Sequence, residues 1–355
     1  MDIGAKVHLG TPVCAMQSGV FFISIGMLFQ EVSEMNLDKF HVIAVISNPA
    51  NYQSRYENYK VFEENILRKT KNLWTVELIT GARAAQITSK ACDRNIQLYQ
   101  SAIDGELWHK EQLINVATQF VAEAAPDFRY LMWVDADFLF EADALEKTWE
   151  ALQTWPIVQA WSDLINLDPD WHIMSTSKSF MYCRSQGEHA KLLPSGDYVT
   201  PIGAPGGAWA FRREYLNQLG CTISGPILDF GIVGSGDHYF AHAVVGEIGR
   251  TKNPAFHPNY NKWLQLYADN ADRVVKRNVG YVANTVRHLW HGSKQSRGYN
   301  WRAKILIENQ FDPETDLTRD VSGLWRLIVN TPRQMKLRDD LRMYFRSRKE
   351  DATTL

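Results

Sequence analysis

What this 355-residue chain has little of narrows it before any motif is read. Its four cysteines, Cys14, Cys92, Cys183 and Cys221, are scattered, with no Cys-x-x-Cys pair. That spacing excludes a zinc ribbon and a disulfide framework, and it fits a reducing, cytoplasmic setting. The net charge is −2, so no chain-wide positive excess draws it to nucleic acid. No repeat, low-complexity tract or Gly/Ser linker interrupts the sequence, which argues for one catalytic domain with an appendage over two independent domains. The apolar stretch GVFFISIGMLF near the start is too short to span a bilayer, and no stable membrane insertion is expected.

What is present is a large apolar content, 45% of residues, ample for a substantial core. FHVIAVIS at 40–47 reads as a buried strand running into the turn formers Asn48 and Pro49. Tyr56, Tyr59, Phe62, Ile66 and Leu67 recur at helical spacing, and LWTVELIT then makes a second strand that stops at Gly81. A helix from about Trp108 to Ala124 places Leu113, Val116, Phe120 and Val121 on one face, and Pro126 and Asp127 end it. A strand from Tyr130 to Val134, a helix from about Asp143 to Thr154 and a strand from Pro156 to Trp161 follow. This order predicts an α/β fold with a mostly parallel sheet flanked by helices. From about Asp163 the pattern is irregular, with STSKS at 175–179 reading as a polar loop. Three segments are expected: an extension at 1–34, the main domain at 35–310, and a helical appendage at 311–355 ending in a basic, amphipathic tail read as a solvated surface helix.

The strand from Tyr130 ends abruptly on two carboxylates, Asp135 and Asp137. Ligands of open α/β sheets collect beyond the carboxyl ends of strands, and two acids one residue apart can share a hard divalent ion and its phosphate ligands. An Asp-x-Asp is also a common way to end a strand in a solvated turn. The apolar flank, Trp133 before and Phe138, Leu139 and Phe140 after, implies a buried setting, where carboxylates need a paired charge.

Four segments change the weight of that motif: VISNP, ELWHKEQLINVA, VDADFLF, and GGAWAFRREYLNQLG followed by GIVGSGDHYF. In this order they resemble metal-dependent nucleotide-sugar glycosyltransferases of the GT-A fold, especially galactosyl- and N-acetylgalactosaminyltransferases, over roughly residues 40–305. The layout is also similar to glycosyltransferases carried by bacterial viruses. The resemblance implies a hexosyltransferase taking its donor from a nucleoside diphosphate sugar, by default a UDP-sugar. It implies Mn²⁺ or Mg²⁺ held by Asp137 with Asp135, His291 by the family's spacing, and His288 as the second candidate. An imidazole suits such an ion, with diphosphate oxygens and water completing the shell.

The resemblance further implies donor contacts at Ser47, Asn48 and Pro49, with Arg55 or Arg83 as the nearby cation. Trp108 would stack on the base, and Lys110 and Asp135 would face ribose or phosphate. Gly206 and Gly207 would lie where a side chain would fill the sugar's space, and Arg297 and Arg302 would hold the diphosphate. Asp237 lies where inverting relatives carry the base, although Ser235-Gly236-Asp237-His238 departs from their Glu-Asp pair. Turn formation, packing and solvation are the ordinary alternatives for these residue types. The acceptor stays open between a glycan, a protein and a hydroxymethylated DNA base, the last suggested by the similarity to enzymes of bacterial viruses, with Arg338, Arg342, Arg346 and Arg348 able to assist a polyanion. The competing readings are a nucleotidyltransferase or sugar-nucleotide pyrophosphorylase, and a non-catalytic carbohydrate-binding protein.

Overall fold

The computed structural model describes residues 35–88, 94–102, 106–188, 203–299 and 301–353; the 1–34 extension, Cys14 and Cys92 lie outside them. The two β-branched runs form β1 (Phe40–Ser47) and β2 (Leu73–Thr80), joined by α1 (Gln53–Leu67), which buries Tyr56, Tyr59, Phe62 and Ile66. The strand β3 (Asn95–Gln100) was not expected, because NIQLYQ alternates buried and open positions at a sheet edge. In α2 (Lys110–Ala124), Leu113, Val116 and Val121 are buried while Phe120 is exposed, correcting its assignment to the apolar face. Next come β4 (Tyr130–Val134), β5 (Phe138–Phe140), α3 (Ala144–Thr154) and β6 (Ile157–Gln159).

The segment after Asp163 is more regular than its sequence suggests. It folds as an antiparallel pair, β7 (Asp163–Leu167) with β8 (Ile173–Lys178), so most of the STSKS run is strand. Its polarity reflects an open edge of a small sheet rather than a loop. The chain continues through α4 (Phe180–Ser185), β9 (Ala208–Arg212), α5 (Arg213–Leu216), α6 (Gly236–Val244) and α7 (Pro258–Val275). It ends with β10 (Val279–Tyr281), β11 (Thr285–His288), α8 (Ala303–Glu308), the ribbon of β12 (Leu317–Arg319) and β13 (Trp325–Leu327), and α9 (Pro332–Ser347).

The main sheet has seven strands in the order β10-β6-β9-β4-β1-β2-β3. All neighbours are parallel except β9, which runs against both β4 and β6. This is the mostly parallel α/β architecture the element order predicts. Alternation along β1 sends Phe40, Val42, Ala44 and Ile46 to a core shared with α1 and α3, and Ile43 to a core shared with α2, α6, α7 and α9. Trp133 and Trp209, opposite each other on β4 and β9, belong to the second core with Phe211 and Phe240. The second sheet, β5-β11-β7-β8, lies just beyond the Asp-x-Asp in sequence and draws distant segments to it.

The basic tail is not a solvated appendage. A Thr331 capping box and Pro332 start α9, whose Leu337, Leu341, Tyr344 and Phe345 enter the main core. Its arginines are engaged: Arg338 with Asp339, Arg342 and Arg346 with Glu106, and Arg348 with Glu350. These pairings offset the charge of all four arginines expected to assist a polyanion. No helix among the described residues is long and apolar enough to cross a membrane.

Candidate functional site

The two acids that end β4 are directed to different partners. Asp135 N donates to Gly207 O at 2.7 Å, and Phe138 N to Asp135 O at 3.0 Å, closing a tight turn into β5. There Phe138 pairs with His288 of β11, and Leu289 N donates to Asp137 O at 2.9 Å. This register carries two histidines to Asp137 from about 150 residues downstream. Asp137 Oδ2 lies 3.3 Å from His291 Nε2 and 3.7 Å from His288 Nε2, and the two nitrogens are 3.1 Å apart.

The donor set could hold a divalent ion, and its two imidazole nitrogens suit a transition ion such as Mn²⁺ rather than Mg²⁺. One carboxylate oxygen and two imidazole nitrogens lie within 4.8 Å of one another. His288 Nδ1 faces Asn166 Oδ1 at 3.0 Å, a pairing set by the β7–β11 register, and this turns Nε2 toward Asp137. Burial, with Arg297 and His288 adding to it, holds His291 well below its ordinary pKa and hence neutral, as a ligand must be. For Asp137, burial raises the pKa, but His288, Arg297 and Arg55 outweigh it and the group stays ionised. Asp137 Oδ1 is buried with no hydrogen-bond partner among the described residues. Such an oxygen is costly to leave unpaired and is readily explained by a cation.

Asp135 belongs to a second cluster. Lys110, the first residue of α2, lies 2.6 Å from Asp135 Oδ1 and 3.7 Å from Asp237 Oδ2. An ammonium at a helix N-terminus opposes the helix dipole, so the two acids supply the compensation. Asp237 sits in the first turn of α6 and accepts from His238 N at 2.8 Å. The turn before it is strained, with Ser235 at φ +75°, and Arg302 Nη2 holds it by donating to Ser235 Oγ at 2.7 Å. Gly206 closes the cluster: a Cβ there would lie 2.4 Å from Asp237 Oδ2 and 3.9 Å from Asp135 Oδ2. Gly207, at φ +94°, has Phe138 against it, so its requirement is conformational and steric at once.

Glu111, beside Lys110, was not read from the sequence. It is 3% exposed, packs on Gly236, and its Oε1 has no hydrogen-bond partner among the described residues. Burial pushes its pKa up to about 8; Lys110 opposes this, and Asp237 and Asp135 add to it. The folded chain thus keeps a proton that the unfolded chain releases near pH 4.3, and stability is lost as pH rises from there through about 8. Glu111→Gln should remove this slope. In urea titrations it should match the wild type near pH 4 and exceed it at pH 9 by on the order of 5 kcal/mol. Parallel curves for both proteins would show that Glu111 is ionised in the fold.

The end of β1 forms the other wall. Asn48 is 3% exposed, and its side chain exchanges bonds with Tyr52 N and O at 2.9 and 2.8 Å, a turn-forming role. Arg83 donates to Asn48 O and Pro49 O, and Arg55 Nη1 to Ser47 O at 2.9 Å. Arg55 also forks onto Glu350, which Arg348 shares. The Arg348 guanidinium lies over the Trp108 ring, 5.1 Å from its centroid, so a cation occupies the place expected for a base on that face. Arg297 and Arg302 are 6% and 8% exposed. Arg297 gives Nη2 to Gly292 O, while its Nε and Trp108 Nε1 are buried without a partner among the described residues.

One cavity of about 1230 Å³ joins these clusters and is lined by the metal, donor and base candidates expected from the sequence, with Arg55 but not Arg83 as the nearby cation. Reading the sequence missed Glu111, Asn166 and Glu350 as parts of this site. Glu350 carried a signal in its Arg-x-Glu context, but the basic character of the tail obscured it.

No protein-family model and no curated protein matches the chain. Among solved structures, S. aureus TarS is 11% identical with a TM-score of 0.31, over 57% of this chain and 53% of that one, so the chain spans about half of it. The Mycobacterium tuberculosis glucosyl-3-phosphoglycerate synthase, solved with Mn²⁺, UDP-glucose and phosphoglyceric acid, is 13% identical with a TM-score of 0.36, over 82% and 87% of the two chains. A Bacillus anthracis structure named as a glucose-1-phosphate thymidylyltransferase, in complex with sucrose, is 9% identical with a TM-score of 0.31, over 70% and 88%. At such scores the residues of the site carry the functional reading.

Proposed function

We propose that this chain is a metal-dependent glycosyltransferase of the GT-A type, moving a hexose from a UDP-sugar to an acceptor hydroxyl with inversion. The observation that carries the reading is the Asp137–His288–His291 cluster at the carboxyl end of the parallel sheet, with buried Arg297 and Arg302 lining the same cavity. When bound there, a divalent ion supplies electrostatic stabilisation of the leaving diphosphate. Arg297, whose charge bears on Asp137 and His291, adds fixed positive charge on the same side, and its burial makes that charge count for more than in water.

Gly206 lets the Asp237 carboxylate lie against the backbone beside Asp135, and the sugar is assigned to the cavity these two carboxylates line. Asp237 takes the proton of the acceptor hydroxyl as its oxygen bonds to the anomeric carbon. The bond from that carbon to the diphosphate oxygen breaks, and the electron pair departs with the diphosphate. Lys110, 2.6 Å from Asp135 and 3.7 Å from Asp237, orders both side chains.

A thermal-shift screen with manganese across UDP-, GDP- and CMP-sugars tests this reading. A UDP-sugar at saturating concentration should raise the melting temperature by about 5 °C or more, and EDTA should abolish the shift. If no nucleotide sugar stabilises the protein with manganese present, the reading fails.

A further inference from the structure

We propose that Glu350, five residues from the end of the chain, is a positioning residue that holds His291 in place for the metal. The proposal rests on the reading of Asp137, His288 and His291 as the ligands. Glu350 is fully buried, and its Oε2 lies 4.0 Å from His291 Nδ1, the nitrogen that faces away from Asp137. At this distance no hydrogen bond joins them; the carboxylate puts negative charge behind the metal-facing imidazole and anchors the segment against which its loop packs, and outer partners of this kind orient a metal ligand.

The placement of Glu350 is built from several independent contacts. Arg55 forks onto both of its oxygens, Nη2 to Oε1 at 2.8 Å and Nε to Oε2, and Arg348 Nε donates to Oε1. The chain just after His291 is moulded to the same segment, since a Cβ on Gly292, at φ +87°, would meet Glu350 Cα at 3.0 Å and Lys349 O at 3.1 Å. Trp290 Nε1 donates to Ala352 O at 2.7 Å, and Asn58 Nδ2 to Trp290 O at 2.8 Å. The loop that carries His291 is thus laced on one side to the last residues of the chain and on the other to α1. Through Arg55, whose Nη1 reaches Ser47 O, Glu350 also ties the end of β1 to the metal side of the cavity.

The neighbouring Asp351 provides a control on the same strap. It accepts from Gln53 N and Ser54 N at 3.1 and 2.9 Å, capping α1 without appearing among the contacts of His291. Binding of manganese alone, without nucleotide, is read by electron paramagnetic resonance on the full chain. Glu350→Gln should weaken Mn²⁺ about 10- to 100-fold. Asp351→Asn should lower the melting temperature yet keep the wild-type affinity.

Wild-type affinity in a folded Glu350→Gln variant overturns the proposal. Should that variant fail to fold because two guanidinium groups lose their partner, Arg348→Met/Glu350→Gln removes a buried cation and the anion together. Deleting a cation alone would tighten Mn²⁺ binding, so affinity below wild type in the double variant supports the proposal, and equal or tighter affinity overturns it. Asp137→Asn and His291→Ala separate the two levels. If both lose Mn²⁺ while Glu350→Gln keeps it, only the role of Glu350 falls; if both bind as wild type, the metal reading falls with it.

Discussion

Asp137→Asn should abolish measurable Mn²⁺ binding and slow release of the donor's diphosphate by about 10³-fold or more, beyond the 10- to 100-fold typical of residues one layer removed from a metal. The substitution keeps the size of the side chain and removes its charge. Asp137 is the one carboxylate in the cluster, and Arg55 and Arg297 stand near enough to hold it ionised. An amide there would leave two imidazoles facing guanidinium groups with no anionic ligand, a poor trap for a cation. Calorimetry with Mn²⁺ checks the first half and a nucleotide-release assay the second. A variant that binds Mn²⁺ as tightly as wild type would move the metal away from this cluster.

Asp237→Asn should behave differently. Turnover to acceptor should fall about 10²- to 10⁴-fold, the usual contribution of a positioned base, while Mn²⁺ and donor affinities stay near wild type. The amide oxygen can still accept from His238 N, so the first turn of α6 keeps its contact. Lys110 keeps Asp135 at 2.6 Å, so the donor side of the cavity is not left with an unpaired ammonium. The split between kcat and binding is the signature: wild-type turnover would remove Asp237 from the chemistry, and lost donor binding would make it a donor contact.

Which parts of this molecule could be read from its sequence follows from how local each signal is. The bounds of β1 and β2 coincide with the apolar runs because strands buried on both faces need continuous hydrophobic side chains. The short strands β5, β7, β8 and β11 escaped because their pairing is set by partners far along the chain, and an open edge tolerates serine and lysine. Asp137, His288 and His291 were legible as residue types in a family-like spacing, yet their convergence depends on the β5–β11 register, which no local pattern encodes. Glu111 was hidden by the adjacent Lys110, because only burial separates a solvated Lys-Glu pair from a protonated acid. The tail misled most: its arginine density reads as a solvated face, whereas each charge is matched by an acid from another element or a near neighbour.

The measurement that tests the central claim most directly is phosphorus NMR of the protein incubated with a UDP-sugar and manganese. The account predicts that free UDP appears with wild-type protein, that EDTA stops it, and that Asp137→Asn does not produce it. UDP formed equally in EDTA, or formed equally by Asp137→Asn, would contradict it.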